Sequence, residues 1–296
     1  MRMIVVTLTW VCMTAFAAAQ QLPEIQNREG VKLVVTEADS EPVLHLVVPG
    51  DASGDTMKIL FPEHVTVKRQ GSTDAEHLYI FRPGSNGQSV SWKQNGQSIG
   101  YERDFRGGIH MLARATLDDD GVVFHYELMN RPGVAYEMAA AVTDPRMSSI
   151  FHDVRLERTY VHHTDGFDLL ASETPERLTM PLSQWLPVRY LDSYTWPIPG
   201  KRVNRRDDGI TYYSKSRAVD EPMIATLSTD SRWVAVSFTR TTGNVWSNPE
   251  LTCQHVDPER PLPAHGSAVW ETKLLVFRGS LDQALQKVRA QKNDLK

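Results

Sequence analysis

The sequence predicts an all-β protein. Three observations support this prediction: short segments rich in β-branched and aromatic residues recur along most of the chain, turn signals separate them, and helical spacing occurs only near the C-terminus. The formal net charge is −4, with both signs spread along the chain. Nucleic-acid binding requires a concentrated basic surface, so the sequence argues against nucleic acid as a partner.

The first nineteen residues have the three parts of an export signal. Arg2 supplies a positive start, residues 4–13 are mostly apolar, and residues 17–19 are a run of alanines suited to cleavage. We expect the mature chain, residues 20–296, to form a single domain in the periplasm or outside the cell. No later segment approaches the roughly 18 to 20 uninterrupted apolar residues of a transmembrane helix, so we do not expect a membrane-embedded chain.

In the first half of the chain the predicted strands are short and are separated by turns that contain Pro, Gly or Asn-Gly. They span residues 31–36, 42–48, 57–61, 77–82, 89–92, 97–102, 108–117, 122–130 and 136–142. Asn95-Gly96 predicts a tight hairpin, because this pair accepts positive φ angles. The acidic run 118–120 lacks the ligand spacing of a calcium loop and is interpreted as another hairpin turn. Side chains alternate within 122–128, which predicts one packed face and one face open to water or ligand.

The second half is less regular. Residues 172–208 contain five prolines among several aromatic residues, which predicts a long surface loop. Residues 280–291 have helical spacing, with Ser280 as the N-cap and an apolar face. The remaining predicted strands span 210–216, 222–228, 233–240 and 268–277.

The cysteine content argues against stabilisation by disulfides. Cys12 lies in the predicted signal, which leaves Cys253 as the one thiol of the mature chain, and burial is the favoured interpretation of that thiol. A zinc site would need Cys253 and His255 together with a histidine from residues 150–163, but a Cys-x-His pair alone lacks the second ligand pair of a specific zinc motif. The sequence therefore predicts no metal and no cofactor.

The stretch 150–163 is dense in titratable side chains. If it is extended, several of them share one face. These are His152, Arg158, Tyr160 and His162. The functional interpretation is a polar cleft in which arginine binds a hydroxyl-rich ligand and histidine or tyrosine donates a proton. The alternative is a solvated strand with cross-strand charge pairs.

A second candidate is the irregular stretch 243–258, since loops on a rigid β scaffold often carry binding groups. Trp246 would stack on a sugar ring, Asn248 would make polar contacts, and Glu250 or His255 would act as acid or base. The alternative is a packed tryptophan with polar groups that cap the loop. Gly-rich phosphate loops and a Gly-x-Ser-x-Gly motif are absent, which argues against kinases, dinucleotide enzymes and ordinary esterases.

The order of these segments resembles the galactose mutarotase-like β-supersandwich. The resemblance is carried by residues 124–130, 151–155, 233–238 and 270–277. It implies a single large antiparallel β-supersandwich with a short C-terminal helix and a carbohydrate ligand on a concave sheet. In the epimerases of this class a His and a Glu exchange protons with the sugar. Here the resemblance implies that His152, His162 or His255 stands as acid and Glu250 or Glu271 as base.

The leading hypothesis is therefore an exported carbohydrate-binding protein in which the stretches near residues 155 and 246 meet in one groove. The candidate catalytic residues are His152, His255 and Glu250. The candidate substrate-binding residues are Arg155, Arg158, His162, Arg240, Trp246 and Asn248. The alternative is a non-catalytic envelope or protein-interaction β-sandwich, which would present a flat or convex apolar patch instead. The sequence leaves the oligomeric state and the identity of the sugar open.

Overall fold

The computed structural model of the chain describes residues 22–36, 42–51, 53–80, 90–172, 188–190, 203–205, 211–214, 217–247 and 252–296. The predicted export signal and two predicted site residues, Asn248 and Glu250, lie outside these ranges.

The described residues form twenty strands and one α-helix. The first ten strands are β1 (Glu24–Gln26), β2 (Lys32–Val34), β3 (Val43–Val47), β4 (Met57–Arg69), β5 (Glu76–Leu78), β6 (Lys93–Asn95), β7 (Ser98–Asp104), β8 (Ile109–Leu117), β9 (Gly121–Asn130) and β10 (Tyr136–Arg146). The others are β11 (Thr159–His163), β12 (Gly166–Leu169), β13 (Val188–Tyr190), β14 (Val203–Arg205), β15 (Thr211–Ser214), β16 (Met223–Leu227), β17 (Trp233–Thr239), β18 (Val245–Ser247), β19 (Arg260–Leu262) and β20 (Ser267–Arg278). The helix α1 spans Leu281–Gln291.

Two large antiparallel sheets and one small sheet contain these strands. The seven-stranded sheet has the order β1-β2-β3-β4-β10-β19, with β5 also paired to β4. The nine-stranded sheet has the order β12-β11-β16-β17-β20-β9-β8-β7-β6. The four-stranded sheet has the order β14-β15-β13-β18, and its β13–β15 pair is parallel. The predicted all-β fold is confirmed.

The main hydrophobic core lies between the two large sheets. Phe61 of β4 contacts Phe124 and Tyr126 of β9, with ring centroids 5.4 and 5.3 Å apart. Trp270 of β20 is fully buried beside them. The predicted packed face of 122–128 is confirmed, since its alternate residues from Val122 to Leu128 are all buried. Aromatic contacts of this kind add to the stability that burial of apolar surface provides.

Most predicted strands are present with shifted ends, and the largest shift is in β4. This strand was predicted to end at Phe61, but it continues through Pro62 to Arg69. The register against β10 shifts between Val142 and Asp144, so a bulge accommodates the proline within the sheet. Proline was therefore the wrong signal for a strand end here.

The strand predicted at 89–92 was also wrong. The strand is Lys93–Asn95, because Asn95 pairs with Ser98 across a two-residue turn that begins at Gly96 with a φ of 55°. The predicted hairpin is confirmed, but its two turn residues are Gly96 and Gln97 instead of Asn95 and Gly96, and only Gly96 has a positive φ.

The prediction of one long loop over 172–208 was wrong for two short segments, which form β13 and β14. Both belong to the four-stranded sheet, and β13 pairs with β18, which lies more than fifty residues further along the chain. Strands of three residues leave no readable period in the sequence. The same reason explains why β1, β18 and β19, also of three residues, and β12, of four, were not predicted.

The predicted C-terminal helix is confirmed. Ser280 accepts a hydrogen bond from the Gln283 backbone N–H, and the Gln283 side chain accepts one in return from the Ser280 backbone N–H. Such a capping box is worth about 1 kcal/mol. Ala284 and Val288 are buried against Val236 and neighbouring residues of the nine-stranded sheet. Within the described residues, no helix has both the length and the apolar character needed to cross a bilayer.

A charged network fixes this helix to the sheet. The Lys273 ammonium is 95 % buried and pairs with Asp118, with Asp120 at 2.8 Å and with the Gln291 side chain at 2.7 Å. Lys287 of the helix binds Asp120 at 2.7 Å. The acidic run 118–120 is thus the turn between β8 and β9, as predicted, and the carboxylates of Asp118 and Asp120 bind lysines. We call these five residues the helix-anchoring network.

Candidate functional site

Residues 150–163 form a turn followed by a short strand, which corrects the prediction of one extended segment. Asp153 closes the turn, because its carboxylate accepts a hydrogen bond from the Arg158 backbone N–H at 2.8 Å. Leu156 has a φ of 50° within the turn, and the strand covers only Thr159–His163. The four polar side chains expected on one face therefore do not form a single row.

The two arginines of this stretch bind residues of the turn and of the adjacent strand. The Arg158 guanidinium donates to the carbonyl oxygen of Leu227 at 2.6 Å and to that of His152. Arg155 is exposed and pairs with Glu157 at 3.0 Å. Such contacts stabilise a turn, and the binding roles of Arg155 and Arg158 remain predictions.

The predicted site residues His162 and Arg240 have different surroundings. His162 is buried, its Nδ1 lies 2.6 Å from Asp220, and its ring packs edge-on against Phe167. Arg240 is exposed just after the end of β17. Their roles in binding remain predictions.

The stretches near residues 155 and 246 do meet, but through apolar side chains. Leu156 and Val161 share a buried cluster with Val245 and Val256. The expected proximity is thus present, whereas the polar groups of the two stretches point to different surroundings.

A polar cluster lies instead where β10 meets the extended segment between β18 and β19. The backbone of Cys253 forms an antiparallel β-bridge with Arg146 of β10, and the backbone of His255 forms one with Trp246 of β18. Side chains alternate along both segments, so Asp144, two residues before Arg146, lies opposite His255. The intervening residues face the other way and line a small void between the large sheets. Strand alternation thus collects these polar groups on the outer face of the seven-stranded sheet.

Each polar atom of His255 faces a carboxylate. Its Nε2 lies 3.5 Å from Asp144 Oδ1 and its Nδ1 lies 3.4 Å from Asp257 Oδ1. Arg146 Nε donates to Asp144 Oδ2 at 2.8 Å, and Trp246 Nε1 donates to Asp257 Oδ2 at 3.0 Å. The Trp246 and His255 rings stack with centroids 3.8 Å apart. Together with Cys253, we call these residues the His255 cluster.

Electrostatics within the His255 cluster favour charged groups despite burial. Burial lowers the pKa of His255, but Cys253, Asp257 and Asp144 outweigh this effect and raise the pKa well above its ordinary value. Burial raises the pKa of Asp144, but His255 and Arg146 outweigh it and lower that pKa. Trp246, predicted as a stacking platform, is half-buried, and His255 occupies one of its ring faces.

A second group on the same sheet face was not predicted from the sequence. His64 Nδ1 lies 3.7 Å from Glu63 Oε2, and the His64 ring contacts the rings of His77 and Tyr79 at 4.6 and 5.6 Å. Burial and then His77 lower the pKa of His64 to about 4. Burial and then the Asp144 charge raise the pKa of Glu63. Both side chains are half-buried, whereas His77 and Tyr79 are exposed. We call these four residues the His64 patch.

A cleft of about 250 Å³ adjoins the His255 cluster, because Thr242, which lines the cleft, donates a hydrogen bond to the Asp257 carbonyl oxygen. The residues that line it include Glu137, Thr241, Thr242, Gly243, Glu259 and Arg260. Burial and then the Asp257 charge raise the pKa of Glu259 to about 7. The Asp257 charge also acts on Glu63 and His64, where its contribution raises each pKa, although the net pKa of His64 is lowered. One carboxylate therefore links the cleft, the His64 patch and the His255 cluster electrostatically.

Sequence reasoning missed Glu63, His64, His77 and Glu259, and a partial signal for them exists. His77 and Tyr79 are two positions apart, at and just after the end of β5, a spacing that places them on one face. Of the predicted catalytic residues, His255 belongs to this polar region, His152 lies in the turn after a single 3₁₀ turn, and Glu250 lies outside the described residues. Their catalytic roles remain predictions.

Comparison with solved structures identifies the fold. The chain is similar to a protein from Synechocystis sp. PCC 6803, with 9% identity, a TM-score of 0.50, and coverage of 94% of this chain and 100% of that chain. It is also similar to the alpha-N-acetylgalactosaminidase NagBb from Bifidobacterium bifidum in complex with GalNAc, with 12% identity and a TM-score of 0.50, over 92% of this chain and 38% of that chain. A galactose mutarotase-like protein from Lactobacillus casei matches with 12% identity and a TM-score of 0.45, over 86% of this chain and 100% of that chain.

The described strands form a β-sandwich of two large antiparallel sheets, similar in fold to the Synechocystis and Bifidobacterium structures. Structures called galactose mutarotase-like are among the matches, as the sequence resemblance indicated. The Bifidobacterium match is a carbohydrate-active enzyme. In sequence comparisons, no family model and no curated protein matches the chain. At identities of 9 to 12%, these likenesses concern the fold, and the chemistry must be argued from the side chains.

Proposed function

We propose that this protein is exported and binds a carbohydrate on the outer face of the seven-stranded sheet, where Glu63 and His64 act on the sugar as acid and base. The observation that carries this proposal is the Glu63–His64 pair, with 3.7 Å between its carboxylate and imidazole atoms. A His and a Glu are also the residue types that exchange protons with the sugar in the resembling epimerases. The Bifidobacterium structure, 38% of which matches this fold, is a complex with GalNAc, and this supports a sugar as the ligand class.

The environment of the pair suits proton transfer near neutral pH. The raised pKa of Glu63 favours a carboxyl that can donate a proton, and the lowered pKa of His64 favours a neutral imidazole that can accept one. Proton transfer between two oxygens of one sugar requires one group that donates a proton and one that accepts it.

Nearby groups suit a hydroxyl-rich ligand. Tyr79 is 43% exposed beside His64 and offers a ring for stacking. The adjoining cleft of about 250 Å³ presents hydroxyls of threonine, the Arg260 guanidinium and the Glu259 carboxyl, which together can donate to and accept from several sugar hydroxyls. This volume is just below the ~300–1,000 Å³ typical of small-molecule pockets, and it therefore favours one sugar unit at a time.

A saccharide screen followed by a kinetic assay tests this proposal. Thermal shifts with monosaccharides identify a ligand, and exchange between its anomers is then followed by NMR. Glu63→Gln and His64→Gln are expected to slow the exchange by about 10²–10⁴-fold, the usual contribution of general acid–base groups. Glu127→Gln, a half-buried glutamate of the nine-stranded sheet, is the matched control and should retain the wild-type rate. Binding without anomer exchange would support the carbohydrate ligand but contradict the acid–base role.

The alternative of a protein-interaction sandwich has less support. It requires a contiguous apolar surface, whereas the exposed large hydrophobic residues of the described chain are Tyr79, Val134 and Val154, in three separate segments. If no saccharide in the screen shifts the thermal transition, the interaction function becomes the better proposal.

Export is part of the proposal and has its own test. N-terminal sequencing of protein recovered from the periplasm or medium should begin at Gln20, as expected from the alanine cleavage site. Recovery of a chain that retains Met1 in the cytoplasm would contradict export without affecting the sugar site.

A further inference from the structure

We propose that Asp144, Cys253 and His255 bind a zinc ion. The three side chains come from two segments of the chain, and each is about 1% exposed. Their ligand atoms, one carboxylate oxygen, one sulfur and one imidazole nitrogen, all lie within 4.8 Å of one another. This site does not depend on the proposed sugar chemistry.

The separation between the nitrogen and oxygen ligands fits tetrahedral zinc. Zn–N and Zn–O bonds of about 2.0–2.2 Å at tetrahedral angles place a nitrogen and an oxygen ligand about 3.3–3.6 Å apart. The observed separation of His255 Nε2 and Asp144 Oδ1 is 3.5 Å. At this distance the two atoms are too far apart for a strong hydrogen bond, but they are correctly spaced to share an ion.

A buried oxygen points into the site. Asp144 Oδ2 accepts a hydrogen bond from Arg146, whereas Asp144 Oδ1, in a side chain 2% exposed, accepts none from the described residues. A buried carboxylate oxygen without a hydrogen bond is costly unless it binds a charge. His255 Nε2 faces this oxygen at 3.5 Å, and zinc would take the place of a proton between the two atoms and bind both.

The surrounding residues orient the ligands as in known zinc sites. Asp257 lies 3.4 Å from His255 Nδ1, so the histidine has a carboxylate behind it when Nε2 faces the metal. Trp246 stacks on the imidazole and fixes the Asp257 carboxylate at 3.0 Å. Arg146 fixes Asp144 in the same way.

The donor set selects the metal. A thiolate and an imidazole favour zinc and disfavour calcium or magnesium, which take oxygen ligands. With an aspartate, the two anionic ligands balance the +2 charge of the ion. Three protein ligands leave one tetrahedral position for water. Arg146, which binds Asp144, is about one-third exposed at its side chain, so the site lies close to the surface and a metal can enter.

Metal analysis of the full mature chain tests the site directly. The protein, freed of any affinity tag, is incubated with zinc chloride, separated from free metal by gel filtration, and analysed by mass spectrometry for zinc. About one equivalent is expected. With cobalt chloride as a second probe, a sulfur-to-cobalt charge-transfer band in the near ultraviolet is expected, because Cys253 is the one thiol of the mature chain.

Variants assign the ligands. Cys253→Ser should abolish the charge-transfer band, and Asp144→Asn or His255→Gln should weaken zinc binding by at least about 100-fold. Asp257→Asn should weaken it by about 10–100-fold, since Asp257 only orients His255. His162→Gln is the matched control: His162 is also buried beside a carboxylate, Asp220, and this variant should bind zinc as the wild type does.

One result would overturn the site even if a variant fails to fold, because it is measured on the wild type. If folded wild-type protein retains less than about a tenth of an equivalent of zinc and shows no charge-transfer band with cobalt, His255 instead carries a proton between its two carboxylates. Zinc retention that survives Cys253→Ser together with His255→Gln would also contradict this assignment.

Discussion

The helix-anchoring network and the His255 cluster are both charged and largely buried, yet they differ in how their hydrogen bonds are satisfied. In the network, the buried Lys273 ammonium has three partners, and Lys287 binds Asp120 as well. In the cluster, Asp144 Oδ1 accepts no hydrogen bond from the described residues, and both separations to His255 are 3.4 Å or longer.

This difference indicates that the buried charges of the two regions have different roles. A fully paired network offsets the cost of desolvation and fixes a helix in place. A cluster with an unsatisfied oxygen leaves part of that cost without compensation, and such a cost is typical of sites that bind or react. His64 Nδ1 is likewise buried without a hydrogen bond from the described residues, but here and at Glu259 burial shifts the pKa towards the uncharged form.

The largest effect is expected in the network. Lys273→Met leaves the Asp118 and Asp120 carboxylates close together without their shared cation, and it should lower the free energy of unfolding by about 3–5 kcal/mol. Urea denaturation at pH 7 measures this loss. Lys287→Met is the control, since the Lys287 side chain is 37% exposed, and its loss should be about 1 kcal/mol or less. Equal losses in the two variants would contradict the proposed central role of Lys273.

A smaller effect, on the pH dependence of the free energy of unfolding, is expected at His64. Its folded pKa of about 4 is below the ordinary value of 6.5, so its contribution to stability is present above pH 6.5 and is lost as the pH falls towards 4. We expect the wild type to lose about 2 kcal/mol more than His64→Gln between pH 7 and pH 4. The charged groups near His64 are Glu63, His77, Asp144, His255 and Asp257. Parallel stability curves for wild type and variant would refute this expectation.

Glu259 should show the reverse pH dependence. Its folded pKa of about 7 exceeds the ordinary 4.5, so the folded state holds a proton that the unfolded state releases, and stability is lost as the pH rises from 4.5 through 7. Glu259→Gln should therefore be more stable than the wild type by about 1–2 kcal/mol at pH 8 and equally stable at pH 4. Thermal unfolding at both pH values measures this, with Glu127→Gln as the control for loss of a half-buried glutamate.

The smallest effect is expected at Asp144 when no metal is present. Asp144→Asn keeps an oxygen that can accept the Arg146 hydrogen bond, so with EDTA its cost should be about 1 kcal/mol or less. The contrast with Lys273→Met is the measure of the difference between the two regions. A loss in EDTA as large as that of Lys273→Met would show that the cluster is satisfied without a ligand.

Much of the fold could be predicted because it depends on local patterns. The alternation in β9, the Asn95-Gly96 hairpin and the Ser280 capping box are each readable within a few residues. Three-residue strands such as β13 were missed, since their pairing depends on distant segments rather than on their own sequence.

The site could be predicted only in part. The Cys-x-His pair of Cys253 and His255 was recognised as an incomplete metal motif, but the third residue beside it is Asp144, more than a hundred residues earlier in the chain, and not a histidine of residues 150–163. No single sequence gives that register. The prediction that residues 150–163 are extended was wrong because of Asp153. Its carboxylate accepts two backbone hydrogen bonds, and this is enough to turn the chain.

The extended segment that contains Cys253 and His255 pairs with β10 on one side and with β18 on the other. Two sheets therefore share one stretch of backbone, and neither pairing can shift without the other. Amide hydrogen–deuterium exchange along β18 should then respond when metal or sugar binds beside β10, which makes the small sheet a remote reporter of occupancy.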